Sequence, residues 1–257
     1  MISETFPEFF LKLKSELMNI ERFNSYEELS RKAKDYVVKE IEKNKNLLLC
    51  VATGASPTLT YQLLADKFQE QPELFDQLRI IKLDEWGGIP INQPGTCESY
   101  IQSYIIQPLQ IPESRYIGFN SNPEDGFKEC KTIQEKLRKE GPIDLCILGL
   151  GMNGHLALNE PADFLQAHCH VSKLSASSLQ HPMASEMQNK PSYGLTLGMA
   201  DILHSKKVLI LINGQQKQAI VKQFLSQKIT SSIPASFLWL HPDTTCLIEK
   251  EAINLPE

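Results

Sequence analysis

The 257-residue sequence has no Cys-x-x-Cys pair among its six cysteines, no apolar run near eighteen residues, no basic excess, and no internal repeat or low-complexity tract. Each absence removes a class. Without paired cysteines there is no zinc-ribbon or thioredoxin-type signature, and Cys50 and Cys146 fall inside apolar runs where a thiol packs as a small hydrophobe. A reduced compartment follows, and with no N-terminal signal-like apolar region the expected location is the cytoplasm. The lack of a long apolar run leaves no candidate membrane helix. A formal net charge of -5 gives no basic face for nucleic acid, so an anionic substrate must be held by local amides and one or two cations. With 42% hydrophobic and 22% charged residues and no linker, the composition is that of one globular domain with a sizeable core.

The elements present alternate. Ser25-Tyr-Glu-Glu28 is a capping box, and Leu29, Ala33, Tyr36, Val37 and Ile41 make one apolar face, predicting a helix over about 26–43. Leu47 to Ala52, Leu78 to Leu83, Ile143 to Leu148 and Val208 to Ile212 are short apolar runs that suit buried strands, and Thr245 to Ile248 reads as a final short strand. Further helices are expected from Pro57 to about Phe68, through a mixed stretch at 99–109, over 127–139 and from Lys217 to about Leu225, and Ser232 to Ser236 resembles another helix start. Phe9, Phe10, Leu13 and Leu17 suit an amphipathic N-terminal helix within residues 1–20. The recurrent βα pattern predicts an α/β fold with a mainly parallel sheet flanked by helices, and such sheets bind ligands beyond the carboxyl ends of their strands.

Four stretches fall at that edge. Thr53-Gly-Ala-Ser-Pro57 follows the first apolar run, and Ser56 before Pro57 reads as an N-cap that would seat an anion at a helix start, a plain β-to-α turn being the alternative. Asp84-Glu85-Trp86 ends the second run. Two successive carboxylates on an extended chain face opposite sides, so one can serve as a base beside an aromatic wall while the other is structural; an Asp that caps the next turn is the alternative. The loop after Leu148 carries Gly149, Gly151, Asn153, Gly154, His155 and Glu160, combining close backbone approach with an imidazole and a carboxylate. Asn213-Gly-Gln-Gln-Lys217 follows the fourth run and brings a lysine to the same edge. Residues 162–192, irregular and long, read as a lid; His168-x-His170 within them lacks the companions of a recognised zinc site, so no metal is expected.

Taken together, Ala52-Thr-Gly-Ala-Ser-Pro57, Leu83-Asp-Glu-Trp86, Leu148-Gly-Leu-Gly-Met-Asn-Gly-His-Leu-Ala-Leu-Asn-Glu-Pro161 and Asn213-Gly-Gln-Gln-Lys217 resemble the glucosamine-6-phosphate deaminase and galactosamine-6-phosphate isomerase family over about residues 20–250. The resemblance implies a modified Rossmann-like domain, a sugar-phosphate substrate, and aldose-to-ketose isomerisation with loss of ammonia, requiring no metal or organic cofactor. It makes Asp84 the base between C2 and C1, His155 the group that opens the pyranose ring, and Glu160 its partner. Thr53, Gly54, Ala55 and Ser56, the amides of Gly149 and Gly151, Glu85 and Lys217 form the implied substrate and phosphate set. The related 6-phosphogluconolactonases differ in carrying Asp-Gly-His and Thr-Ala-Ser-Leu-Phe-Pro.

Two departures bear on the branch. Asn153 stands where glucosamine-6-phosphate deaminases usually have Asp, and the stretch from Lys173 to Pro182 lacks their lid arginine, with Lys173 a candidate substitute. Both features resemble the galactosamine-6-phosphate branch, which implies tagatose 6-phosphate and ammonia as products; glucosamine 6-phosphate is the alternative substrate. A non-catalytic sugar-phosphate sensor of the same fold is a further alternative, although no helix-turn-helix or basic extension accompanies this domain. Some family members are homo-oligomers, and the sequence leaves the oligomeric state open.

Overall fold

A computed structural model describes residues 18–253 except 91, 92 and 186. In chain order the strands and helices are β1 (Asn19–Phe23), α1 (Tyr26–Lys43), β2 (Leu48–Val51), α2 (Ala55–Glu70), β3 (Arg79–Lys82), β4 (Asp84–Gly87), α3 (Cys97–Ile101), β5 (Tyr116–Ile117) and α4 (Gly126–Glu140). There follow β6 (Leu145–Gly149), β7 (His170–Ser172), α5 (Ala176–Leu179), α6 (Pro182–Ser185), β8 (Tyr193–Thr196), α7 (Met199–Leu203), β9 (Lys207–Ile212), α8 (Gln218–Phe224) and β10 (Thr244–Glu249). Seven strands pair in parallel in the order β1-β10-β9-β6-β2-β3-β5. The expected parallel α/β architecture is therefore present.

Burial explains the apolar runs. Along β2 and β6 successive side chains alternate between the two faces, so Leu48, Cys50, Cys146 and Leu148 pack into one core while Leu49, Val51, Leu145 and Ile147 pack into the other. The second core is closed by Leu29, Ala33, Val37 and Ile41 of α1, whose first turn is fixed by the Ser25 hydroxyl accepting from the Glu28 amide at 3.2 Å. Core-facing Ile133 and Leu137 of α4 cover the opposite face.

The chain runs from β2 outward to β3 and β5, then returns through α4 to β6 on the other side of β2. That reversal opens a crevice between the carboxyl ends of β2 and β6, where parallel sheets accept ligands.

Several expectations are corrected. A second, antiparallel sheet in the order β4-β8-β7 crosses this edge, with Asp84 paired to Thr196 and His170 to the same threonine. Part of the 162–192 stretch is thus strand β7. Residues 19 and 20, assigned to an N-terminal helix, begin edge strand β1; the remainder of that helix lies outside the described residues except Met18. The cap of α2 is Gly54, at φ 99°, and Ser56 sits inside the first turn. The 99–109 stretch is helical as expected, continuing α3 as a π-helical segment, Gln102–Ile106, whereas the expected helix start near Ser232 is a 3₁₀ segment, Pro234–Leu240. No helix among the described residues is long and apolar enough to cross a membrane.

Candidate active site

A cleft of about 540 Å³ occupies the crevice, floored by the ends of β2 and β6 and walled by β4, α5, the turn before α6 and the loop after β9. Thr53, Gly54, Ala55, Ser56, Asp84, Gly149, Gly151, His155 and Lys217 all line it. Ser178, His181 and Asn213, to which the sequence gave no site role of their own, are among the other side chains that line it.

Asp84 opens β4, and its pairing with β8 fixes the backbone that presents it. The residue is 8% exposed. Burial, reinforced by the Glu85 charge and opposed by His155, Lys82 and a hydrogen bond from Cys97, raises the carboxyl to about 7. A carboxylate of that basicity can exchange a proton with carbon near neutral pH.

Glu85 points the other way, as strand alternation requires. It is fully buried and accepts from Lys82 Nζ at 2.7 Å and from the amides of Trp86, Cys97 and Glu98 at 2.8, 2.9 and 2.7 Å. Lys82, also fully buried, reaches Glu98 at 2.5 Å and the Phe119 carbonyl at 2.9 Å. Glu85 is therefore a structural anchor, and its inclusion among the substrate-binding residues is corrected.

Across the cleft, His155 rests on a carboxylate. Its Nδ1 lies 3.4 Å from Glu160 Oε2 and 3.4 Å from the Ser178 hydroxyl. That hydroxyl donates to Glu160 Oε1 in a short bond, while the Ser175 amide donates to the same oxygen at 3.2 Å. Asn153 donates to Glu160 Oε2 at 2.9 Å and accepts from the His155 amide at 3.1 Å, so it braces the carboxylate and the backbone rather than the ring. Burial would raise the Glu160 carboxyl, but the bond and charge of His155, with Ser178 and Asn153, bring it down to about 2. Glu160 is thus a fixed anion behind an imidazole.

The ring needs the glycine beside it. A Cβ on Gly151 would stand 2.3 Å from His155 Cδ2 and Nε2, so only glycine lets the loop pass the ring edge. The Gly151 amide donates to the His155 carbonyl at 3.1 Å, which corrects its expected use as a phosphate donor. At Gly149 a Cβ would meet nothing within 4 Å, because that position faces the open cleft.

At the far end, the first turn of α2 meets the loop after β9. Ser56 donates to Asn213 Oδ1 at 2.6 Å and accepts from Lys217 Nζ at 3.3 Å. Burial lowers Lys217 to about 8, so it carries charge at neutral pH without a carboxylate partner among the described ion pairs. The His181 Nε2 lies 3.7 Å from a Cβ placed on Gly54, bringing the imidazole over the same turn. Burial, with the charges of His155 and Lys217, lowers its proton affinity. Free amides, a lysine and an imidazole at a helix N-terminus can receive a phosphate.

Lys173, the expected stand-in for a lid arginine, is exposed and does not line the cleft. His168 and His170 do not converge: one imidazole pairs with Asp201 at 3.1 Å and the other with the His168 carbonyl at 2.9 Å. Among the described residues no three His, Cys, Asp or Glu side chains are grouped to hold a metal ion.

Residues 24–247 match the family described as glucosamine-6-phosphate isomerases/6-phosphogluconolactonase. The chain is 42% identical over 232 residues to the Escherichia coli (strain K12) protein named "Putative deaminase AgaI", covering 90% of this chain and 92% of that one. It is 32% identical over 240 residues to glucosamine-6-phosphate deaminase of Bacillus pumilus (strain SAFR-032), covering 93% and 100%. The solved structure of a monomeric glucosamine-6-phosphate deaminase, described as a missing link of the NagB superfamily, superposes with a TM-score of 0.87 at 32% identity over 91% of this chain and 98% of that one.

Proposed function

Because the chain belongs to the family of glucosamine-6-phosphate isomerases and 6-phosphogluconolactonases, and is an enzyme of its amino-sugar-phosphate isomerase/deaminase type, we propose that it converts galactosamine 6-phosphate and water to tagatose 6-phosphate and ammonia. The observation that carries the chemistry is the buried Asp84 carboxyl, raised to about 7 at one wall of a cleft whose other wall bears the His155–Glu160 pair.

In this reading the phosphate sits on the first turn of α2 between Lys217 and His181, with the Gly54 and Ala55 amides as donors and the Ser56 hydroxyl holding Asn213 and Lys217 beside it. His181, whose proton affinity is lowered, then supplies a neutral imidazole N–H donor on the lid side, and Lys217 is the cation of the seat. His155, oriented by Glu160, Ser178 and Asn153, moves the proton between the ring oxygen and O1 as the pyranose opens. Asp84 takes the proton from C2 and returns it to C1, passing through an enolamine whose developing charge at O1 is stabilised by nearby donors. Water then adds at C2, and ammonia leaves as the ketone forms. The segment 162–192, which brings Ser178 and His181 to the cleft, acts as the lid.

Support for the galacto epimer comes from three features: the greater identity to AgaI than to the B. pumilus glucosamine-6-phosphate deaminase, Asn153, and histidine rather than arginine on the lid. The test is ammonia release from galactosamine 6-phosphate and glucosamine 6-phosphate in parallel, with Asp84→Asn as control. Faster release from the galacto sugar, abolished in the control, is expected. Faster release from the gluco sugar overturns the epimer, and binding without turnover of either favours the sensor.

A further inference from the structure

The reaction as proposed makes no use of Cys97, yet its thiol is the side chain in contact with the proposed base. Sγ lies 3.8 Å from Asp84 Oδ1 and 3.6 Å from the Thr53 hydroxyl, spanning the β2 and β4 edges of the cleft. Its place is fixed from behind. The Thr96 hydroxyl caps α3 through the Ser99 amide at 3.0 Å, and the Cys97 and Glu98 amides both donate to Glu85, the residue that follows Asp84 in β4. The first turn of α3 is thereby tied to the strand that carries the base.

At 2% exposure the thiol is shut off from reagents, and burial holds it well above its ordinary proton affinity, so it remains S–H and can only donate to the carboxylate. The Thr53 hydroxyl, which can donate to sulfur, completes a chain that ends on Oδ1. We propose that Cys97 is a positioning residue of the reaction, holding the Asp84 carboxyl in its reactive orientation through a deliberately weak donor. A thiol is a poorer donor than a hydroxyl or amide, so it fixes Oδ1 while withdrawing little of the basicity that proton abstraction requires. The titratable groups that act on Asp84 from the surrounding elements include Glu85 on its own strand, Lys82 on β3, His155 on the loop after β6, Cys50 on β2 and Cys97 on α3. Of these, the Cys97 thiol is the one that hydrogen-bonds the carboxyl. The inference rests on Asp84 being the base.

The pH profile of kcat/KM for Cys97→Ala and Cys97→Ser separates this role from packing. Removing the donor in Cys97→Ala moves the acid limb to higher pH and lowers kcat about tenfold, with KM changed less than about twofold. Cys97→Ser, which restores a donor and a stronger one, brings the limb back to the wild-type position or below it. A ¹³C-NMR titration of the Asp84 carboxyl in the free variants gives the same shifts without turnover. An acid limb unmoved in Cys97→Ala, or a hydroxyl that restores nothing, overturns the proposal. If Asp84→Asn retains activity, the fault lies with the base assignment instead.

Discussion

Lys82 is a full charge with no exposed surface, and replacing it with methionine tests how the base is supported. The substitution keeps most of the aliphatic stem and removes one cation from a group that also holds Glu85, fully buried, and Glu98, 18% exposed. Glu85 would retain its three amide donors but lose its counter-ion. Stranding a buried charge in this way costs about 3–5 kcal/mol, and the remaining amides place the expected loss near the lower figure. For a domain of this size that lowers the thermal midpoint by roughly 6 °C or more. A second readout follows from sign alone. The Lys82 charge lowers the Asp84 proton affinity, so its loss raises the carboxyl further and moves the acid limb of kcat/KM upward. Thermal melting at pH 7 and a pH–rate profile check both. A midpoint within about 2 °C of wild type, or an unmoved limb, refutes the claim that this ion cluster supports and tunes the base.

The wild-type acid limb should lie near pH 7, because activity requires ionised Asp84. The linkage has the opposite sign: a carboxyl raised in the folded state contributes stability below its unfolded value, and that contribution is lost as pH rises through about 7. Asp84→Asn should therefore raise the melting point at pH 8 but not at pH 4, while losing about 10²- to 10⁴-fold in activity. Gly151→Ala drives a Cβ to 2.3 Å from the His155 ring and should lower kcat/KM about a hundredfold, whereas Gly149→Ala, with open space ahead of it, should leave melting unchanged. Lys217→Met should raise KM for the phosphorylated substrate about tenfold or more, and wild-type KM should climb as pH passes through about 8. A flat KM across that range contradicts a phosphate seat at Lys217.

The sequence disclosed those parts of the molecule whose signal is local. β2, β3, β6 and β9 are read from their apolar runs because both faces of each strand are buried, and α1 is read from a cap and an apolar stripe. β4, β7 and β8 exist through pairing between residues such as Asp84 and Thr196, more than a hundred positions apart, and their short mixed sequences carry no period. The same distinction runs through the cleft. His155, Glu160 and the glycines are neighbours on one loop, so their association is visible before folding. Ser178 and His181 reach the cleft, and Cys97 the back of Asp84, only through tertiary placement. Glu85 was the converse case: strand alternation already set it opposite Asp84, and its burial against Lys82 makes it an anchor. Ser56 yielded the cap of α2 to Gly54 because a positive φ favours glycine, which left the hydroxyl free to face Asn213 and Lys217.

The most direct test of the central claim is the loss of the C2–H signal of galactosamine 6-phosphate in D₂O, followed by ¹H NMR for the wild type, Asp84→Asn and His155→Gln. The account predicts rapid loss with the wild type, a rate at least about a hundredfold lower with Asp84→Asn, and substrate binding by that variant within a few-fold of wild type. Loss of the C2 proton at an undiminished rate in Asp84→Asn would contradict it.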